Sequence, residues 1–417
     1  MQGKWHTQVK KSVISRMEEK MMTTQSACST PGGARIMQGA MRWLASLVLA
    51  LAAGLAMADK PYTYYPTGNP QAEVNLPLPA TASHVLMGGG PDVDEAFRWM
   101  IERAGIKPGT GGRFVIIRAS GADGYNDYIY YSDAKLSTSK KIQDDWIGGA
   151  SLGLSSVETL VIPSIGAANS DFVNAVVARA HAVFIAGGDQ SDYIKFWKGT
   201  RLDATLKQLL DKNIPIGGTS AGLAVLGQFD FAALNGTVTS SQALSNPFNK
   251  YMTLDPSPLS STGFIVPPAL SNTILDSHLD TRDRMGRLMA FVARLVAPSN
   301  GPGSSFGCPG GILAAANARG IGIGVETALL VQGKPGNAGA TARRVTNPDT
   351  TTESAVYFLQ PLNPPSTCAD GKPLNMTTVE IRKLANSNSV FDLSNWSGLP
   401  VYKIVDILSG QLADSPY

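Results

Sequence analysis

Ile216-Gly217-Gly218-Thr219-Ser220-Ala221-Gly222 sets a serine in G-x-S-x-G between a short apolar run, residues 214–216, and a helix pattern that begins over 221–226. A strand-to-helix turn of this composition holds the hydroxyl out of the chain and leaves the Ala221 N–H free to face an oxyanion. A plain helix N-cap at Thr219 or Ser220 would use the same residues. Working outward, two more strand-like runs end in glycine turns. Residues 84–87 lead into Gly88-Gly89-Gly90, and 181–186 lead into Gly187-Gly188-Asp189-Gln190. Residues 113–118 read as another strand, while 93–104, 171–180 and 201–211 carry apolar residues at helical spacing. Strands alternating with helices specify an α/β fold: a mostly parallel sheet with helices on both faces and its chemistry at the carboxyl ends of the strands. Runs at 320–331 and 355–359 extend that sheet. The triple glycine lacks the G-x-G-x-x-G spacing of a dinucleotide loop and reads as a tight turn.

A serine nucleophile needs a base, and the chain has only four histidines: His6, His84, His181 and His278. His6 lies ahead of the fold. His84 and His181 open their strands, at the end opposite the glycine turns. Elimination leaves His278, which sits in Asp276-Ser277-His278 with Arg282, Arg284 and Arg287 following. Three arginines beside a catalytic histidine suit a carboxylate-bearing ligand. A solvated face paired with Asp280 and Asp283 is the alternative. In an ordinary α/β-hydrolase the order is serine, acid, then a histidine near the chain end. Here no histidine follows His278 in the given sequence, which argues against that plan.

Composition narrows the class further. The 417 residues carry 35 Lys plus Arg against 32 Asp plus Glu, with 43% hydrophobic residues, so neither a disordered tail nor a nucleic-acid binder fits. The 43 glycines and 26 prolines show no three-residue period, which excludes a collagen-like chain. Residues 43–56 form an apolar run after Arg42 and before the small-x-small triplet Ala56-Met57-Ala58. This is the pattern of a secretory signal peptide cleaved before Asp59. Met37 or Met41 would start such a signal normally, so 1–36 read as a misassigned start or a disordered extension. Residues 1–58 hold seven basic side chains against two acidic ones, and the net charge of +3 becomes −2 beyond them. Cys308 and Cys368 then remain. In an oxidising compartment they could pair, but spacing does not decide it. No Cys or His lies within a few residues of either, so neither reads as a zinc ligand.

Several segments in one order resemble the cyanophycinases, serine peptidases of the group that includes the α-aspartyl dipeptidases. The matching stretches are Phe184-Ile185-Ala186-Gly187-Gly188-Asp189-Gln190, the Ser220 turn, Asp276-Ser277-His278 through Arg287-Leu288, Gly320-Ile321-Gly322-Ile323-Gly324-Val325-Glu326-Thr327-Ala328-Leu329-Leu330, and Ala355-Val356-Tyr357-Phe358-Leu359. The resemblance implies a class I glutamine-amidotransferase-like sheet with a nucleophile elbow, in a single peptidase domain over 83–417 after an extended lead-in at 59–82. It implies Ser220 as nucleophile, His278 as general base, and Gly188 and Ala221 as oxyanion amides. It also implies Gln190, Asp276, Ser277, Arg282, Arg284 and Arg287 around a β-aspartyl-arginine unit. The implied activity is metal- and cofactor-free release of β-Asp-Arg dipeptides from cyanophycin by a secreted or periplasmic homodimer that binds no nucleic acid and, once its signal is removed, no membrane. Two residues depart from the pattern. No Glu occurs between Ser220 and Asp276, and Gln242 stands where the family places the Glu behind its histidine, with Asp230, Asp255 and Asp276 the only acids in the interval. Ser277 replaces a glutamine.

Overall fold

Runs such as Phe114-Val115-Ile116-Ile117 are apolar on both sides, as a strand covered on two faces must be. The computed structural model describes residues 60–131, 148–301 and 307–417, and the expected extension (1–36) and signal peptide (37–58) lie outside the described residues. Six strands come first: β1 (Thr63–Gly68), β2 (Ser83–Met87), β3 (Arg113–Arg118), β4 (Ser156–Val161), β5 (Ala182–Ile185) and β6 (Ile216–Thr219). A two-stranded ribbon, β7 (Asp230–Phe231) and β8 (Leu254–Asp255), precedes β9 (Thr273–Asp276). Then follow β10 (Arg319–Ile323), β11 (Ala328–Gly333), β12 (Ala340–Val345), β13 (Val356–Pro361), β14 (Met376–Leu384), β15 (Val390–Asp392), β16 (Lys403–Leu408) and β17 (Gln411–Leu412). The helices that matter to the site are α1 (Asp94–Arg103), α2 (Asp171–Ala178), α3 (Gln190–Phe196), α4 (Arg201–Asp211), α5 (Ala221–Ala224), α6 (Ser240–Ser245) and α7 (Met285–Leu295).

The strands form a nine-stranded sheet, β1-β4-β3-β5-β6-β2-β11-β12-β15, and a six-stranded one, β17-β16-β14-β13-β10-β9. In the first sheet the parallel pairs are confined to the block β4-β3-β5-β6-β2, and β1, β11, β12 and β15 join antiparallel. The fold is α/β as expected, with a parallel centre inside a mixed sheet. Alternation along β2 divides its faces. Val85 and Met87 pack with Phe97 and Met100 of α1, whereas Leu86 joins Val173 of α2 and Leu202 and Leu206 of α4. Ile321, Ile323 and Phe358 of the second sheet close that same core. Its other face buries Tyr357, Leu359 and Ile381 against Leu288, Phe291 and Val292 of α7. Each such side chain contributes about 1.5–3 kcal/mol on burial.

Three expectations change. The run at 320–331 is two strands in different sheets, because the chain turns at Gly324–Thr327, where Glu326 takes φ +56° and donates its N–H to Gly89 O at 2.9 Å. The lead-in is not merely extended: β1 pairs antiparallel with β4, and Tyr64 donates to the buried Glu158 at 2.6 Å while Arg179 neutralises that carboxylate at 2.6 Å. Pro66 is tolerated there because β1 is outermost. The strand expected at 214–216 runs later, over Ile216–Thr219, so it delivers Ser220 directly into the turn. Cys308 and Cys368 are joined in a disulfide with Cα atoms 4.6 Å apart. Among the described residues, no helix is long and apolar enough to cross a membrane.

Candidate active site

Ser220 caps α5 from φ +53°, ψ −115°, a backbone region that costs a non-glycine residue about 1–3 kcal/mol. Two features hold it there. Its N–H donates to Met87 O at 3.1 Å, and its carbonyl takes the Ala224 N–H at 3.1 Å. Gly222 permits the tight crossing behind it, since a Cβ there would stand 2.0 Å from Ile185 O. The result is an elbow that presents Oγ at the carboxyl edge of the parallel block.

His278 arrives from the second sheet, two residues beyond β9, also with positive φ (+49°). Its N–H donates to Gly88 O at 2.8 Å, and its Nε2 lies 2.8 Å from Ser220 Oγ. The triple glycine is thus more than a turn. Gly89 has φ +94°, and a Cβ on it would meet His278 Cε1 at 2.4 Å and Nε2 at 2.5 Å. Gly89 is a flat wall for the imidazole. Sequence reasoning missed this role, although a glycine run at the carboxyl end of a strand was its visible signal.

Burial, and then the positive charges of Arg282 and Arg284, push His278 down to about 4, with Asp276 and Asp280 opposing. The ring is therefore a neutral base at ordinary pH. That property does not single it out, because burial also pushes His84 and His181 down to about 4. Geometry does: His84 Nδ1 lies against Ile216 O at 3.3 Å, and His181 Nδ1 accepts the Arg113 N–H at 3.1 Å. Both serve the strands.

Gln242 does not stand behind His278. It is the third residue of α6, exposed, and its side chain accepts the Thr239 N–H at 3.0 Å in a capping box while Thr239 Oγ1 accepts the Gln242 N–H at 3.2 Å. Local backbone donors at a helix start captured the amide. The neighbouring acids also lie away from the ring, in the β7–β8 ribbon. Asp230 faces Asp255 across the ribbon, where burial and that neighbour push its carboxyl well up, and Asp255 binds Lys198 at 2.6 Å. Among the described residues none hydrogen-bonds His278 Nδ1.

The cleft beside Ser220 encloses about 260 Å³ and is lined by Gly188, Gln190, Ala221, Ser277, Arg282 and Arg284 among others. These expected residues come together. Ala221 opens α5, so its N–H has no intrahelical acceptor and remains available to a ligand, as Gly188 does from the opposite loop. Asp276 and Arg287 do not line the cleft. Arg287, 2% exposed, grips Asp276 bidentately at 2.7 and 2.6 Å, donates to Val238 O and Thr237 Oγ1 at 3.1 Å each, and lies over Phe231. Four of the five N–H donors of this buried guanidinium are engaged inside the protein, so it supports the cleft rather than facing it. Asp276 also accepts the Ser277 N–H at 2.9 Å, and Arg284 donates to Ser277 O at 2.9 Å, which steers its guanidinium toward the cleft wall.

Residues 150–241 match the family model for peptidase family S51, a stretch that includes Gly188, Gln190, Ser220 and Ala221 and ends before His278. No curated protein matches the chain. Among solved structures, it is similar to a peptidase from an acI-B1 Actinobacterium: 15% identity, 76% of this chain and 98% of that one, TM-score 0.40. A putative peptidase E protein from Listeria monocytogenes EGD-e is also similar: 14% identity, 64% and 100% coverage, TM-score 0.32. The S51 match over the segment that carries Ser220 indicates a peptidase of a serine-type family.

Proposed function

We propose that the protein is an exported serine exopeptidase that hydrolyses cyanophycin to β-Asp-Arg dipeptides through a Ser220–His278 acyl-enzyme mechanism. The observation that carries this reading is Ser220 Oγ at 2.8 Å from His278 Nε2, in a cleft whose polar wall bears Arg282 and Arg284. Ser220 Oγ attacks the scissile carbonyl carbon and passes its proton to Nε2. The tetrahedral oxyanion is held by the Gly188 and Ala221 N–H groups. Collapse breaks the C–N bond, and the protonated His278 delivers its proton to the departing amine. The same ring then takes a proton from water, whose oxygen attacks the acyl carbon, and returns it to Ser220 Oγ as the ester C–O bond breaks. Backbone amides and side chains suffice for each step. Export is supported by the disulfide, which persists in oxidising compartments.

A second reading is a peptidase for other aspartyl or isoaspartyl peptides. It is favoured by Ser277 on the cleft wall and by the diversion of Arg287 onto Asp276, which leaves two arginines, not three, for substrate carboxylates. Incubation of residues 59–417 with cyanophycin and with isoaspartyl dipeptides separates the readings by product. Ser220→Ala is expected to lower turnover by about 10⁴-fold or more and to abolish labelling by a fluorophosphonate. Unchanged product release by Ser220→Ala would sink the serine mechanism. A wild-type protein that binds cyanophycin but takes no label would instead be a binding homologue.

A further inference from the structure

The loop from His278 to α7 is turned locally by the Arg282 N–H on His278 O at 3.3 Å, the Thr281 N–H on Asp280 Oδ1 at 2.8 Å and the Asp283 N–H on Asp280 O at 3.1 Å, but the start of α7 needs a partner from outside it. Arg284, which precedes α7, offers no side-chain cap to it. The first helical N–H, that of Met285, is instead taken by Tyr417 Oη at 3.1 Å, across 132 residues of sequence. That hydroxyl donates in turn to Leu279 O at 2.9 Å. Leu279 O also accepts the Arg284 N–H at 2.8 Å. One hydroxyl therefore ties both ends of the 279–285 loop, and Arg282 and Arg284 stand between the ties. Tyr417 is itself held. Its ring meets Tyr357 edge-on at 5.9 Å, and Lys403 Nζ donates to Ser415 O at 2.7 Å and to Tyr417 O.

We propose that Tyr417 is a positioning residue: by clamping Leu279 O and the Met285 N–H it holds Arg282 and Arg284 in register with Ser220, and so sets the preference for carboxylate-bearing substrates. The clamp stands on geometry alone. Its consequence for specificity rests on the peptidase reading above.

The test is Tyr417→Phe, which removes one oxygen and keeps the ring against Tyr357. Amide hydrogen exchange at Arg284 and Met285 is expected to quicken about fivefold, as loss of a hydrogen bond worth about 1 kcal/mol allows. For an isoaspartyl peptide kcat/KM is expected to fall about tenfold, mainly through KM, and for its carboxamide analogue less than about threefold. Lys403→Met, which frees the same segment from its other side, is expected to move both readouts in the same direction by less. Wild-type exchange at both amides in Tyr417→Phe overturns the clamp. Equal losses for carboxylate and carboxamide overturn its role in specificity. If the unmodified protein cleaves neither peptide, the peptidase reading fails, and exchange alone then decides whether Tyr417 holds the loop.

Discussion

The two walls of the cleft are built in opposite ways. The Ser220 wall is largely local: Ile216 to Ala224 supply the strand, the strained turn and the helix that follows it, with one tie from the Ser220 N–H to Met87 O. The His278 wall is assembled from distant pieces. Gly88 and Gly89 come from the end of β2, Asp276 from β9, Arg287 from α7 and Tyr417 from beyond β17. A largely local wall is written in one short stretch of sequence and can be looked for there. A composite wall holds its imidazole only while every contributing element packs in place.

That difference is sharpest in the buried pair. Removing one partner of a buried, hydrogen-bonded ion pair leaves an uncompensated charge, so Arg287→Ala is expected to destabilise the fold by about 3–5 kcal/mol, read as a lowered midpoint in urea. Ser240 Oγ also accepts the Arg287 N–H at 3.1 Å, a bond the variant keeps, so the loss belongs to the guanidinium. If Arg287→Ala unfolds within about 0.5 kcal/mol of wild type, the pair does not support the cleft.

The next largest effect falls on the ring itself. Gly89→Ala places a methyl where the imidazole lies, and a displacement near 1 Å costs about 10²-fold in kcat. The Ser220 elbow has no part in this change. Binding of a carboxylate product at the arginines is therefore expected to survive, measured by calorimetry beside kcat. A Gly89→Ala variant with wild-type kcat would show that the wall is not composite at this point.

Charge supplies the smallest break. His278 is driven down by burial first and then by Arg282 and Arg284. A group whose conjugate acid is weakened is a free base above its lowered pKa, so labelling of Ser220 by a neutral fluorophosphonate should rise with pH through about 4 and stay level above it. Arg282→Gln removes one positive neighbour and should move that limb upward, by less than about one pH unit because Arg282 is exposed and screened. High salt should shrink the shift. A limb that stays in place in Arg282→Gln would mean that burial alone sets the base.

How much of this was legible follows the same division. The glycine turns, the serine elbow, the alternating strands and helices, and the pairing of His278 with Ser220 are legible, because each rests on residue type, short spacing or a count of four histidines. The residue behind the base was misread. Gln242 occupies a plausible place in the order of motifs, yet a helix start three residues earlier offers its amide nearer partners. The family resemblance sets Asp276 and Arg287 around the substrate, and only burial shows that they satisfy each other.

By itself the sequence determined the α/β class and set Ser220 in a strand-to-helix turn and three arginines just after His278, since these depend on patterns a few residues long. The tertiary structure decided that two sheets share one cleft, that Gly89 flanks the imidazole, that no carboxylate bonds to Nδ1 among the described residues, and that Tyr417 closes the arginine loop. The physical reason is range. Backbone propensity acts over a turn or two, whereas the partner of a buried polar atom is whichever group packing brings within about 3 Å.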